Sequence, residues 1–210
     1  MQTLEKIWTY EMLVTEFAPE TRIELLDNEI FMPPSPSPDH QRTSRNLEFL
    51  LYEFVRKNKL GEVFDAPFDV ILSNTKVVQP DIVLISTKNL PNITKRGYEG
   101  IPDLIVEIIS PSTFYHDSVT KFRLYEALGV QEYWLLEPAN KVIEVFRLEN
   151  GKYELHCFVV ETGKATSKLL QGFEVEAGEI FGAWYYITSL QVILKVRNKR
   201  YYEVCGNKPK

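Results

Sequence analysis

Apolar residues recur along this chain with two periods. In TSRNLEFLLYEFVRKN (43–58), Leu47, Leu50, Leu51, Phe54 and Val55 fall at helical spacing, and Gly61 is expected to end that segment. Strand-like patterns surround it. RIELLDNEIFM (22–32) alternates about Asp27-Asn28 and predicts a hairpin. PPSPSPDHQ (33–41) has four prolines in nine residues and reads as a stiff loop. EVFDAPFDVIL (62–72), interrupted by Pro67, and VVQPDIVLI (77–85) read as strands. A loop over 86–102 carries Lys88, Lys95 and Arg96, and DLIVEII (103–109) is a further strand. SPST then opens a second helix, FYHDSVTKFRLYEAL, which Gly129 closes. EYWLLEP (132–138) is a strand, and KVIEVFRLENGKYELHCFVV (141–160) is a hairpin turning at Asn150-Gly151. A last short strand region and the cluster Trp184, Tyr185, Tyr186 end the domain near residue 187.

The middle of the chain, strand then helix then strand, reads as a crossover between neighbours in one sheet. The expected architecture is a single α/β domain over 1–187, with a mixed central β-sheet flanked by helices and β-hairpins at both ends. Residues 188–210 are set apart as a C-terminal extension: an extra strand, a dimer arm or disordered chain. The length of 210 residues suffices for one real core. No apolar run reaches the ~20 residues needed to span a bilayer, and MQTLEKIWTYEML lacks the basic-then-apolar plan of a signal peptide. The expected compartment is therefore the cytoplasm, with Cys157 and Cys205 as free thiols. A net charge of −5 argues against a surface that grips nucleic acid all round, but not against an enzyme with a local groove.

Two carboxylates change the picture. In DLIVEII, Leu104, Val106 and Ile108 point to one face and Ile105, Glu107 and Ile109 to the other, so a strand covered on both faces carries an acid. In VVQPDIVLI, Asp81 shares a face with Val83 and Ile85 and follows Pro80. A lone ionised carboxylate is costly there, so each acid is protonated, paired or bound to a metal. Asp103, also preceded by proline, lies on the same strand as Glu107 and is an alternative partner for it. On the second helix, Phe122, Leu124, Tyr125 and Leu128 define the apolar arc at ~100° per residue. Lys121 falls within it and Asp117 one turn earlier. An exposed pair at that spacing would be worth only ~0.3–0.5 kcal/mol, and this one points inward. Two acids and an inward lysine are a minimal set for phosphodiester hydrolysis. Paired carboxylates bind a hard cation such as Mg²⁺, the metal activates water, and the lysine orients that water or stabilises charge on phosphate.

These residues resemble the PD-(D/E)XK, or restriction endonuclease-like, nuclease superfamily, and within it the Uma-two family of endonucleases. The resemblance covers about residues 10–185 and rests on RIELLDNEI, PSPDH, VQPDIVLI, PDLIVEIISPST, Asp117-x-x-x-Lys121 and GVQEYWLLEP in that order. It implies that Asp81 and Glu107 are catalytic metal-binding acids, with Mg²⁺ as cofactor and Mn²⁺ as a substitute. The superfamily's lysine two residues after the second acid is replaced here by Ile109, which makes Lys121 the substitute. Glu24 matches an acid near the N-terminus of such nucleases: either a third metal ligand or a hairpin side chain. His40 matches the histidine of the PSP-x-H loop, and it binds phosphate, relays a proton or, as a lone loop histidine, does neither. Ser110 and Ser112 are first of all helix-start residues, and a helix N-terminus also suits phosphate. Asp117 either ligands the metal or orients Lys121. The implied partner is nucleic acid, DNA before RNA or a branched junction, with no membrane, and a homodimer would let both strands be cut. The competing reading is a non-catalytic nucleic-acid-binding or regulatory module on the same fold.

Overall fold

The computed structural model describes residues 6–18 and 21–182. The Trp184 cluster, the 188–210 extension and Cys205 lie outside the described residues. Helix α1 (Tyr10–Glu16) leads into the hairpin β1 (Glu24–Leu26) and β2 (Glu29–Phe31). Its turn residues Asp27 and Asn28 both have positive φ, as the primed hairpin turns require. Helix α2 spans Pro38–Asn58. It begins five residues earlier than the apolar spacing predicts and absorbs the end of the proline-rich stretch. Ser37 caps it by accepting from the His40 backbone N–H, and Pro38 occupies the first turn, where a missing N–H is harmless. It stops at Lys59 in the left-handed conformation. Gly61 is not its terminator but the first residue of β3 (Gly61–Asp65). A Cβ there would lie 2.0 Å from the Ile85 carbonyl oxygen, so close strand packing demands glycine.

Next come β4 (Val70–Ser73), β5 (Lys76–Val78) and β6 (Ile82–Ser86). A 3-10 turn (Thr87–Asn92) and the short strands β7 (Ile93–Thr94) and β8 (Gly97–Glu99) occupy the segment expected to be loop. Strand β9 (Leu104–Ile108) leads to a π-helical stretch, His116–Lys121, continuous with α3 (Phe122–Leu128), which Gly129 ends at φ 89°. Then follow β10 (Glu132–Glu137), β11 (Val142–Glu149), β12 (Lys152–Val160), β13 (Lys164–Thr166), β14 (Glu174–Glu176) and the short helix α4 (Ala177–Phe181).

The strands form two six-stranded sheets, ordered β2-β1-β5-β4-β8-β7 and β12-β11-β10-β9-β6-β3, plus the pair β13-β14. The second is the expected mixed sheet: β9 and β10 pair in parallel across the helical crossover, and the other pairings are antiparallel. The first sheet was not legible as a separate unit. VVQPDIVLI breaks at Gln79–Asp81, with β5 in one sheet and β6 in the other. Pro80 cannot donate to a ladder, and the chain crosses between sheets there.

The second sheet is covered on both faces. Leu47, Leu51 and Val55 of α2 pack on Ile82, Leu84, Val106, Ile108 and Trp134. On the opposite face, Val83, Ile85, Ile105, Tyr133 and Leu135 meet Tyr125 of α3 together with Leu26, Val70, Val78 and Tyr98 of the first sheet. Helix α1 lays Tyr10 and Leu13 on the far side of the first sheet. Asp81 and Glu107 both belong to the face between the two sheets. Among the described residues no helix is long and apolar enough to cross a membrane.

Candidate active site

Strand register sets the two acids side by side. β6 and β9 pair Leu84 with Leu104, Val83 with Ile105 and Ile82 with Val106. One step further along that antiparallel register sets Asp81 opposite Glu107, and side chains directly opposite stand ~5 Å apart at Cβ. Asp81 also accepts the Ile108 backbone N–H on Oδ2 at 2.8 Å, which ties the sheet crossing to β9. Asp103 stands at the other end of β9. It accepts from the Ser86 backbone N–H (2.8 Å) and Asn89 Nδ2 (2.9 Å), and lies ~13 Å along the strand from Glu107, out of reach as its partner.

Lys121 lies at the centre of three acids. Its ammonium is 2.7 Å from Glu24 Oε1, 3.0 Å from Glu107 Oε1 and 3.5 Å from Asp117 Oδ1, and all four side chains are buried. Glu24 comes from β1, Glu107 from β9, and Asp117 and Lys121 from the π-helical stretch. A π-turn departs from α-helical spacing and recurs at functional sites. Here it keeps both charged residues facing inward. Glu24 accepts in addition from the Gln79 backbone N–H (2.9 Å) and pairs with His116 Nε2 (2.9 Å). His116 stacks on Phe31 at 4.1 Å between ring centroids. Tyr125 donates its hydroxyl to Glu107 Oε1 at 2.9 Å.

A second set of groups surrounds Asp81. Arg22 Nη2 donates to Oδ1 at 2.9 Å, and His40 Nε2 lies 3.1 Å from Oδ2. Ser110 and Ser112 bond each other through their hydroxyls at 2.9 Å, and both line the cleft. The cleft has a volume of about 220 Å³, and Arg22, Glu24, His40, Asp81, Glu107 and Lys121 are among its walls. All the residues singled out from the sequence except Asp103 therefore line one cavity. Arg22, His116 and Tyr125 are additions of the structure.

The acids differ in their hold on a proton. Burial pushes Asp81 up, but the His40 hydrogen bond, the charges of His40 and Arg22 and the Ile108 N–H outweigh it and hold it below the usual range. Burial raises Glu24 as well, and Lys121 and His116 more than reverse this. Glu107 goes the other way. Burial, with Asp117, Asp81 and Glu24 nearby, drives it well above the usual range despite Lys121. Asp117 is raised, chiefly by burial. Burial alone would lower Lys121, but Glu107, Glu24 and Asp117 raise it above the ordinary lysine value, so it remains an ammonium.

Among the described residues no three His, Cys, Asp or Glu side chains converge closely enough to cage a metal ion. Mg²⁺, however, commonly binds one or two carboxylates and keeps water or substrate phosphate for the rest. Asp81 and Glu107 supply such a pair. Lys121 and Tyr125 both hold Glu107 by Oε1, and Glu107 forms part of the cleft wall. Both oxygens of Glu24 are engaged, by Lys121, Gln79 and His116, and both of Asp81 are engaged as well, by Arg22, His40 and the Ile108 N–H.

A family model described as "Putative restriction endonuclease" (Uma2) matches residues 9–178. No curated protein matches the chain. Among solved structures, it is similar to a "putative nuclease belonging to DUF820" from Anabaena variabilis, at a TM-score of 0.69 and 17% identity. That likeness covers 82% of this chain and 97% of the other, and shows a shared restriction endonuclease-like fold.

Proposed function

The chain belongs to the Uma2 family, and on that premise we propose that it is a divalent-metal-dependent nuclease hydrolysing phosphodiester bonds of DNA. One observation carries the reading: Asp81, the residue just before β6, and Glu107 of β9 follow on from the Ile82–Val106 pair and line one cleft in which acids outnumber fixed cations. Asp81 and Glu107 would hold the cation, Mg²⁺ with Mn²⁺ as a substitute. When bound, it would polarise the phosphoryl group and lower the pKa of attacking water.

The chain's own residues prepare this chemistry. Arg22, His40 and the Ile108 N–H fix the carboxylate of Asp81 and keep it ionised. Tyr125 and Lys121 hold Glu107 by Oε1 at the cleft wall. Glu24 and Asp117 position Lys121, whose charge favours the anionic transition state. The hydroxyls of Ser110 and Ser112, at the cleft wall, would meet substrate oxygens. Duplex cleavage needs two such sites, which a symmetric homodimer would supply.

The test is cleavage of supercoiled plasmid and single-stranded DNA in Mg²⁺, Mn²⁺ or EDTA, with Asp81→Ala and Glu107→Gln alongside. Metal-dependent nicking that both variants lose is expected. Nicking that survives Asp81→Ala would overturn the assignment. The non-catalytic reading has one feature in its favour, since every N–H of Lys121 already faces a carboxylate. It predicts oligonucleotide binding without nicking in either metal.

A further inference from the structure

The cleft continues beyond the acid cluster. A second lobe of about 430 Å³ shares Arg22, Pro36, His40 and Asp81 with the first. Gln41, Ser44, Arg45 and Glu48 of α2 wall it on one side, and Asp65 at the end of β3 on the other. Arg22 stands at the junction. Its Nη2 serves Asp81 Oδ1 and, at 3.3 Å, the Gln79 carbonyl. Its Nε–H is enclosed and meets no acceptor, whereas its Nη1 makes no ion pair or hydrogen bond among the described residues and the side chain as a whole is 26% exposed. The buried Nδ1 of His40, on the same junction, also lacks a partner. Lys121 is the reverse case, with all three N–H groups directed at acids.

We propose that Arg22 is the residue that grips substrate phosphate, receiving a backbone phosphodiester of the bound strand on its Nη1 group where the two lobes meet. This rests on the nuclease reading. A guanidinium is a planar fork matched to phosphate oxygens, and it carries more donors than one carboxylate can use. The pairing with Asp81 fixes the side chain in advance, so little freedom is lost on binding. The strand would then run from the acids into the second lobe, past the exposed Arg45, which has no ion pair among the described residues. The acids facing that lobe, Glu48 and Asp65, set how far the strand can follow it.

The rival account is that Arg22 serves Asp81 alone. Both are tested by fluorescence anisotropy in EDTA, with a short single-stranded DNA and the same sequence carrying uncharged methylphosphonate linkages. Arg22→Ala should weaken binding of the phosphodiester strand about 10–100-fold, the range of a charge-assisted hydrogen bond. It should also reduce the slope of log affinity on log salt by about 0.7. Wild type and Arg22→Ala should bind the methylphosphonate strand equally weakly. Asp81→Ala should bind the phosphodiester strand more tightly than wild type, because the guanidinium's charge is then no longer offset by the carboxylate beside it; this arm stands even if Arg22→Ala fails to fold. Unchanged affinity in Arg22→Ala, equal losses on both strands, or weaker binding by Asp81→Ala would each overturn the proposal. Hydrolysis of bis(p-nitrophenyl) phosphate with Mn²⁺ is read separately. Its absence in wild type would count against the nuclease, while the EDTA binding would still decide the role of Arg22.

Discussion

Replacing Lys121 with methionine removes one positive charge from among three buried acids and keeps most of the side chain's bulk. Breaking a buried ion pair by deleting one partner costs about 3–5 kcal/mol, because the other charge stays behind uncompensated. Here Glu24 and Glu107 lie 2.7 and 3.0 Å from the lost ammonium and Asp117 lies 3.5 Å away. The loss should reach the upper end of that range at pH 8, where the acids are least able to take up protons. Protonation offers them an escape. Glu107 and Asp117 are already raised, and without Lys121 they rise further. A folded state that binds one proton more than the unfolded chain gains about 1.4 kcal/mol per unit fall in pH. The variant's deficit should therefore shrink by roughly 1–3 kcal/mol between pH 8 and pH 6. Lys121 itself, raised above its unfolded value, contributes stability that is fully present below about pH 10 and changes little in that window. Urea unfolding followed by circular dichroism at the two pH values measures this. A deficit below about 1 kcal/mol, or one that does not depend on pH, would refute the view that Lys121 neutralises the acid cluster.

Glu132 is a buried acid of another kind, since its oxygens accept from Trp134 Nε1, the Ser167 hydroxyl and the backbone N–H groups of Lys168 and Leu169, all within 2.8 Å. Glu132→Leu should lower the urea-derived stability by about 3–5 kcal/mol through those stranded donors, without altering oligonucleotide binding at the cleft. Asp81 and Glu24 both have depressed folded pKa values. Their stabilisation is complete above the unfolded values near 3.9 and 4.3 and fades as pH falls through the folded ones. The transition midpoint should drop steeply below about pH 4, and Asp81→Asn should flatten that drop. Gly129 ends α3 at φ 89°, and a methyl group on its Cα would meet nothing within 4 Å, so Gly129→Ala should cost only the backbone strain, about 1 kcal/mol, read as a shift in melting temperature.

Asp81 and Glu107 could be singled out from the sequence because a carboxylate inside an apolar run has few innocent explanations. Lys121 stood out because a cation on the apolar arc of a helix breaks the pattern. Which acid faces which was not legible, since strand order and register arise from long-range pairing. VVQPDIVLI reads as one strand because its apolar residues run on through Pro80; only the tertiary structure shows two sheets sharing it. Arg22 did leave a signal. It lies two residues before Glu24, and in a strand that spacing places both on one face. Tyr125, four residues after Lys121, was visible only as part of the apolar arc. Nothing in the local pattern separates His116 from an ordinary solvated histidine, because its partner Glu24 is 92 residues away.

That distance bears on how the protein comes into being. Glu24 and Arg22 leave the ribosome long before the segments they serve, and the bonds from His116 to Glu24 and from Arg22 to Asp81 close loops of 92 and 59 residues. Contacts of such span form late, after the entropy of closing the loop has been met by the surrounding core. A nascent chain that stops short of Lys121 holds the first hairpin's acid without its counter-charge. The acid–lysine cluster would thus be among the last parts of the molecule to mature, and a truncated or half-synthesised chain would lack it.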